Sequence, residues 1–473
     1  MEKKNYLLNV IEYITLIVLF MLGNGNKLFI YTLCYLFYKV LSGVYNSINV
    51  KDSILKYKNK DNVFKNKGYI YSIIILVIYG ILGLGISFLL SIGINKILGI
   101  DKIVIPLMIS SLLVVIRPIL DITRDLFVIY GKKKLASYIH YIYYGIDSIL
   151  ILIIYSIIYK IKMPIYIFTS ILFIPKVISL FIVISLCFIV SYKKNKCKNK
   201  YRLSEFREVL REFNKSLIVV DSAKYGYFYI SFIILYIVLV NRYGYNIEDV
   251  YNILVIGYLN CLSIILLVSD SIRYFTNKVC KEYSLGHKII YLLDISIPIV
   301  IFIIIMARYI YMFLFGNIDG YGILMSFSLL VLFIVFYDIM VYEYLKVREN
   351  IIKYLLVGIL IMGITIVPLI DSFYRMGYSL INGSIISIII GICVSLIMLM
   401  LKIKVIDREM VNKYFEKFIM IIYQNIILSF ILVILQLVIN FNMNRMFSLI
   451  VIVIYIGIMV GYFRIKKRGI NNG

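Results

Sequence analysis

Four charged residues share one helical face inside an apolar run: Arg117, Asp121, Arg124 and Asp125, within Val114–Lys134. Spacings of i, i+4, i+7 and i+8 align such residues along one side of an α-helix. A charge at membrane depth costs about 2.5–3.5 kcal/mol on insertion scales and faces a protein interior or a water-filled cavity. Groups of this kind bind an anion, hold each other, or pass a proton. Three lysines, Lys132 to Lys134, follow at once and mark a cytoplasmic end. The stripe predicts a helix lining a polar path through a membrane protein.

Elsewhere the apolar segments hold few ionisable groups. Their cations are Lys39, Arg117, Arg124, Lys176, Lys224 and Arg308; their acids are Glu12, Asp121, Asp125, Asp147, Asp221, Asp294 and Asp338. Arg124 can pair with Asp121, and Lys224 with Asp221, each at i, i+3. Lys39, Arg117 and Lys176 lie well inside their segments, and of these only Arg117 has an acid, Asp121, within a turn on its own face. The six cations are therefore candidates for binding an anionic ligand, because desolvated guanidinium and ammonium groups hold phosphate or carboxylate well. Glu12, Asp121, Asp125, Asp147, Asp221 and Asp338 are candidates for exchanging protons or binding a coupling cation. The same charges can equally pair with one another and only fix packing. Pro118 and Pro175 sit beside Arg117 and Lys176, where a kinked helix suits a moving cavity wall. Tyr141, Tyr143, Tyr144, Tyr225, Tyr227 and Tyr229 are expected to form an interfacial aromatic belt.

Six cysteines form no CxxC pair and there are only two histidines, so neither a metal site, a disulfide framework nor a cofactor is expected. No catalytic constellation stands out, and an enzyme is not expected.

The segments that carry these groups define the fold class. The chain is 62% hydrophobic and 16% charged over 473 residues, against roughly half and a quarter in soluble domains. It reads as an all-α polytopic membrane protein. A span needs about 20 mostly apolar residues. Fourteen are expected, at 7–22, 28–46, 69–95, 103–130, 135–158, 164–192, 216–240, 250–270, 289–315, 321–345, 351–370, 378–401, 418–439 and 446–463. The net charge of +25 would suggest nucleic acid in a soluble protein; here it sorts by side. Loops on the side of the N terminus hold 36 Lys and Arg, those opposite only 8. That asymmetry places both termini in the cytoplasm. The first segment, with Lys3 and Lys4 ahead of it, reads as a retained helix, not a cleaved leader.

The outer loops are short. The inner stretch 193–215 has Leu203, Phe206, Leu210, Phe213 and Leu217 at helical spacing among Arg207, Arg211 and Lys215, as in an amphipathic surface helix. It lies where a link between two six-helix halves belongs. Spans 103–130 and 321–345 carry acids toward their inner ends, Asp125 in one and Asp338 with Glu343 in the other, a faint internal repeat.

Four stretches carry a family resemblance: Arg117–Asp147, Tyr243–Leu293, Pro298–Gly316 and Ser328–Ile359. They resemble, in turn, the Arg-containing fourth helix with its basic turn and polar fifth helix, the seventh-to-ninth helix region, the ninth helix and its turn, and the tenth helix running into the eleventh of polysaccharide and lipid-linked oligosaccharide flippases. Those belong to the multidrug/oligosaccharidyl-lipid/polysaccharide exporter superfamily, with lipid II flippases and stage V sporulation B-like proteins. The resemblance implies a lobe at 1–192, a linker at 193–215, a second lobe at 216–401 and two additional helices within 402–473. The lobes would face each other across a central cavity. It implies alternating access that carries a polyprenyl-pyrophosphate-linked glycan or cell-wall precursor from the inner to the outer leaflet, in a monomer whose partners are that substrate and membrane lipids. A multidrug exporter of the same fold is the main alternative; a membrane glycan polymerase or ligase is a further one.

The charge asymmetry makes a direct prediction. Single cysteines placed at Lys133 and Gly473 should resist an impermeant thiol reagent in intact cells, while one at Lys162 reacts. Labelling of Gly473 from outside would refute the topology.

Overall fold

Most of the chain coils because a backbone in lipid has no water to bond, and only helices satisfy every amide within one segment. The computed structural model describes residues 2–22, 25–46, 62–98, 103–129, 132–192, 220–246, 249–250, 253–279, 285–318, 320–345, 352–403, 419–430, 432–434 and 444–471, with 204, 206 and 207. No strand occurs among them. In chain order the helices are α1 (Glu2–Leu22), α2 (Gly25–Asn46), α3 (Asn62–Leu98), α4 (Val104–Leu112), α5 (Ile116–Ile129), α6 (Lys133–Ile158), α7 (Ile165–Tyr192), α8 (Val220–Ile237), α9 (Asn260–Val279), α10 (Leu285–Phe315), α11 (Tyr321–Leu345), α12 (Ile352–Arg375) and α13 (Leu380–Ile403). Two more follow, α14 (Ile419–Ile434) and α15 (Arg445–Asn471). Each of the fourteen expected spans is helical in its described part apart from a few residues at the ends (103, 164, 378 and 379), and among the described residues nine helices are long and apolar enough to cross a membrane. This is a multi-pass membrane protein.

Helices overrun the apolar runs. α3 extends to 37 residues and α15 to 27, because helical hydrogen bonding continues past the point where hydrophobicity stops. The expected fourth span is not one straight rod. It divides into α4 and α5 around a 3-10 turn at Leu113–Val115. Pro118 has no N–H to give the Val114 carbonyl, and the helix tightens one turn upstream. Two stretches wind as π-helix, Val238–Arg242 after α8 and Ile253–Leu259 before α9. The expected surface helix at 193–215 lies outside the described residues, except that the Phe206 ring meets Tyr71 of α3 edge-on at 5.9 Å.

Helices α1 to α7 pack among themselves, and α8 to α13 do likewise. The two groups meet along α1 against α9 and α2 against α8. One core cluster runs through both groups and their seam. α15 packs on α10, where Met306 and Tyr309 join Leu428, Leu432, Val451 and Tyr455 in a smaller cluster. The expected tyrosine belt is not at the interface: Tyr143, Tyr144, Tyr225, Tyr227 and Tyr229 are buried between helices and Tyr141 is half-buried. The Tyr225 and Tyr227 hydroxyls bond those of Tyr13 and Ser395 inside the bundle, so these rings gain burial without stranding the polar tip; the Tyr143 and Tyr229 hydroxyls are buried without a hydrogen-bond partner among the described residues.

Tyr227 shows how that packing is fixed. Its hydroxyl bonds Ser395 Oγ at 2.7 Å and approaches the Gly391 carbonyl at 3.4 Å. A Cβ on Gly358 would overlap the Tyr227 hydroxyl, Ser395 Oγ and the Gly391 carbonyl, and one on Gly391 would lie 2.7 Å from the Gly358 carbonyl. Small residues thus bring α12 and α13 into backbone contact, with Tyr227 of α8 bonded against both, as in close-packed membrane helices. Gly358→Val should destabilise by about 1–3 kcal/mol as an overpacked contact, read as a lowered thermal midpoint in detergent. Gly363→Val, where a Cβ meets nothing within 4 Å, should leave that midpoint nearly unchanged.

Candidate functional site: buried ion pairs along the seam

A lysine in a bundle interior holds its charge only if an acid arrives on another helix. Three such arrangements lie between helices. In the first, Lys176 of α7 donates to Asp147 of α6 at 2.8 Å, with Lys176 3% exposed and Asp147 5% exposed. The Lys176 ammonium also sits 5.7 Å from the centre of the Tyr38 ring, within cation–π range. The other Asp147 oxygen, Oδ1, is buried with no hydrogen-bond partner among the described residues.

In the second, Lys39 of α2 donates to Glu12 of α1 at 2.5 Å, both buried. Around the Lys39 ammonium stand the rings of Tyr35, Tyr225 and Tyr13, at 5.4, 5.7 and 6.0 Å. The Tyr13 and Tyr225 hydroxyls bond each other at 2.8 Å. That bond spans the seam, since Tyr13 lies on α1 and Tyr225 on α8.

In the third, next to Tyr225, Lys224 of α8 bridges Asp338 of α11 at 2.9 Å and Asp270 of α9 at 3.3 Å. Arg273 approaches the same two carboxylates, each at 3.3 Å. Two cations and two acids leave this group neutral.

The second and third sites adjoin, since Tyr225, next to Lys224 in the chain, presents its ring to the Lys39 ammonium. A peripheral fourth site lies on α5 and α6. Arg124 pairs with Asp121 at 2.8 Å, and His140 Nε2 lies 3.1 Å from the same Asp121 oxygen without hydrogen-bonding geometry.

The local pairing of Arg124 with Asp121 is present as the i, i+3 spacing allows. Lys39 and Lys176, without an acid on their own helix, are neutralised from a neighbouring one. Lys224 draws on Asp270 and Asp338. The side chains of Arg117, Asp125 and Asp221 lie outside the described residues, although each backbone is helical. Arg308 stands apart on α10: among the described residues no acid comes within ion-pair distance, and its Nε is buried without a hydrogen-bond partner. Asp270, Arg273, Tyr13 and Tyr225 were missed as site residues. Arg273 reads as a loop cation in sequence, yet Asp270 and Arg273 form an i, i+3 pair at the end of an apolar run, a legible signal.

Chemically, each site holds a buried lysine neutralised by a carboxylate from another helix.

Long helices in two packed groups form a fold that is found among solved membrane-protein structures. The sequence matches no protein-family model and no curated protein. Among solved structures, the chain is similar to the lipid II flippase MurJ in an inward closed conformation, with TM-score 0.65 and 16% identity over 99% of this chain and 98% of that one. It is also similar to an inward-facing multidrug resistance MATE family transporter of the MOP superfamily, with TM-score 0.52 and 15% identity over 85% and 93%. A MOP superfamily transporter from Pyrococcus furiosus matches with TM-score 0.50 and 14% identity over 85% and 93%.

A double-mutant cycle tests the pairing. Lys176→Met alone should cost about 3–5 kcal/mol by stranding Asp147, whereas Lys176→Met with Asp147→Leu should be nearly neutral. Thermal midpoints of the four proteins in detergent measure the coupling; additive single effects would show that the pair is not coupled.

Proposed function

We propose that this protein is a membrane transporter that moves a polyprenyl-pyrophosphate-linked oligosaccharide or cell-wall precursor from the inner to the outer leaflet by alternating access. Residues 1–192 and 216–401 form the two rocking lobes, 193–215 the cytoplasmic link, and 402–473 the two added helices. Both termini face the cytoplasm. The observation that carries the reading is the ladder of neutralised lysines on and beside the seam, closed across it by the Tyr13–Tyr225 bond.

The physics runs as follows. The pyrophosphate enters from the inner side and meets the Lys224 group first. Deeper in, it exchanges with Glu12 for Lys39 and with Asp147 for Lys176. The bonds gained to phosphate are charge-assisted like the lysine–carboxylate bonds they replace, so the exchange offsets the loss of the internal pairs. Glu12 and Asp147, now without their lysines, take up protons or a cation and release them when the pairs re-form. Asp121, Asp125, Asp221 and Asp338 are further proton or cation carriers, and Arg117, Arg124 and Arg308 further anion contacts. Any net charge carried across is driven by the membrane potential at about 2.3 kcal/mol per charge per 100 mV. Carboxylates matched by cations support an anionic cargo over a cationic drug, which would want an acid left over.

Export of surface glycan in a deletion strain, complemented with variants at equal membrane levels, tests this. Lys39→Ala, Lys176→Ala and Arg117→Ala should each reduce export at least about tenfold, one charge-assisted contact being worth about 1.5–3 kcal/mol. The uncharged double Glu12→Leu with Lys39→Met should fold yet also fail. Full export by that double variant would make the pair structural only and remove Lys39 from the substrate path.

A further inference from the structure

Past the end of α8 remote from Lys224, a cavity lies between the loop at Tyr245 and the loop joining α12 to α13. It has a volume of about 500 Å³, inside the ~300–1,000 Å³ range of small-ligand sites. Its floor comes from Gly257 and Ile323, its wall from Tyr245 and Tyr374, and its rim from the loop joining α12 to α13, with Gly377, Tyr378 and Ser379. No described lining residue is charged.

The local backbone is shaped to make this space. Both π-helical stretches end or begin here: Val238–Arg242 leads into Tyr245, and Ile253–Leu259 contains the lining residues Ile253 and Gly257. Single-turn π-helical insertions are rare and concentrate at functional sites. Gly244 and Gly377 hold positive φ of 66° and 75°, a conformation that side chains resist, so the chain turns sharply on either side of the tyrosines.

One ring is held in place from behind. Tyr374 packs on Tyr243 with ring centres 4.3 Å apart. Tyr243 donates to Asp371 at 2.6 Å, and Arg242 pairs with the other oxygen of Asp371 at 2.5 Å. The carboxylate is thereby occupied and oriented away from service as a cation site. Tyr374 and Tyr378 remain 49% and 62% exposed. Tyrosines are amphipathic platforms, apolar on the face and hydrogen-bonding at the tip.

Aromatic faces, tyrosyl and seryl hydroxyls, glycine backbone and no charge match one chemistry. We infer that this cavity binds a neutral saccharide, its C–H faces stacked on Tyr374 and Tyr378 and its hydroxyls bonded to tyrosine and Ser379 oxygens. Asp371, through Tyr243, is a positioning residue for Tyr374. The inference deepens the glycan reading above and rests on it for the arrival of the ligand, not for its binding. On that reading the cavity opens outside and receives the sugar of the cargo as the pyrophosphate leaves the lysines.

The test is saturation-transfer NMR on the full protein in nanodiscs, with N-acetylglucosamine, N,N′-diacetylchitobiose and cellobiose as probes and tetraphenylphosphonium as a cationic aromatic control. At least one sugar should bind, with transfer strongest at its ring C–H protons. Tyr374→Ala should weaken it about tenfold, the scale of one lost aromatic contact, and Tyr374→Phe should restore most of that. Asp371→Asn should give an intermediate loss at an unchanged thermal midpoint. Three results overturn the inference: no sugar binding by the well-folded wild type, binding indifferent to Tyr374→Ala and Tyr378→Ala together, or tetraphenylphosphonium displacing every sugar. Sugar binding by a wild type whose deletion leaves glycan export intact keeps the cavity and removes the flippase reading. Export that persists without sugar binding does the reverse.

Discussion

A charged side chain inside a membrane bundle must meet its opposite, and most of this protein's interior is arranged around that requirement. Lys39, Lys176 and Lys224 each sit where a neighbouring helix delivers a carboxylate: Glu12 from α1, Asp147 from α6, Asp338 and Asp270 from α11 and α9. Breaking one such pair leaves an uncompensated charge worth about 3–5 kcal/mol. Few helix arrangements satisfy all of them, so the pairs act as constraints on register as much as attractions. That favours one packing of helices whose apolar faces are otherwise interchangeable in lipid.

Tyrosine supplies the second organising element. With no tryptophan and 44 tyrosines, the chain uses one residue type for three tasks. Tyr13, Tyr35 and Tyr225 surround the Lys39 ammonium and lend it ring quadrupoles. Tyr227 ties three helices where Gly358 and Gly391 let backbones touch. Tyr243 and Tyr374 pack with tilted rings at the far face, beside the Arg242–Asp371 pair. The Tyr13–Tyr225 bond is weak beside an ion pair, about 1 kcal/mol net, and it is the sort of contact that a seam can break and remake.

The two faces of the protein differ in kind. Near the beginning of α8 the polar groups are ionic and paired. Past its other end, the polar groups that line the cavity are hydroxyls and backbone, with the Arg242–Asp371 pair set behind Tyr243. An amphiphile with a charged head link and a neutral sugar is complementary to that gradient, which unites the two sites in one transport reading.

The amino-acid sequence by itself determined the class of the fold. Runs of apolar residues of spanning length, and cations crowded into alternate loops, follow from the thickness and charge of a bilayer and need no tertiary information. It also determined which positions bear buried charge, since Glu12, Lys39, Asp147 and Lys176 stand out in apolar text. Pairing within one helix was legible too, as with Arg124 and Asp121, because i, i+3 neighbours are fixed by helical geometry. Only the tertiary structure decided which charges neutralise which. Lys39 and Glu12 are 27 residues apart, Lys176 and Asp147 29, and Lys224 and Asp338 114; no spacing rule reaches that far. The same holds for the tyrosines, which spacing alone could not divide between lipid interface and interior. Whether a ring is wet or buried depends on the helix packed against it, and in this protein that helix comes from elsewhere in the chain.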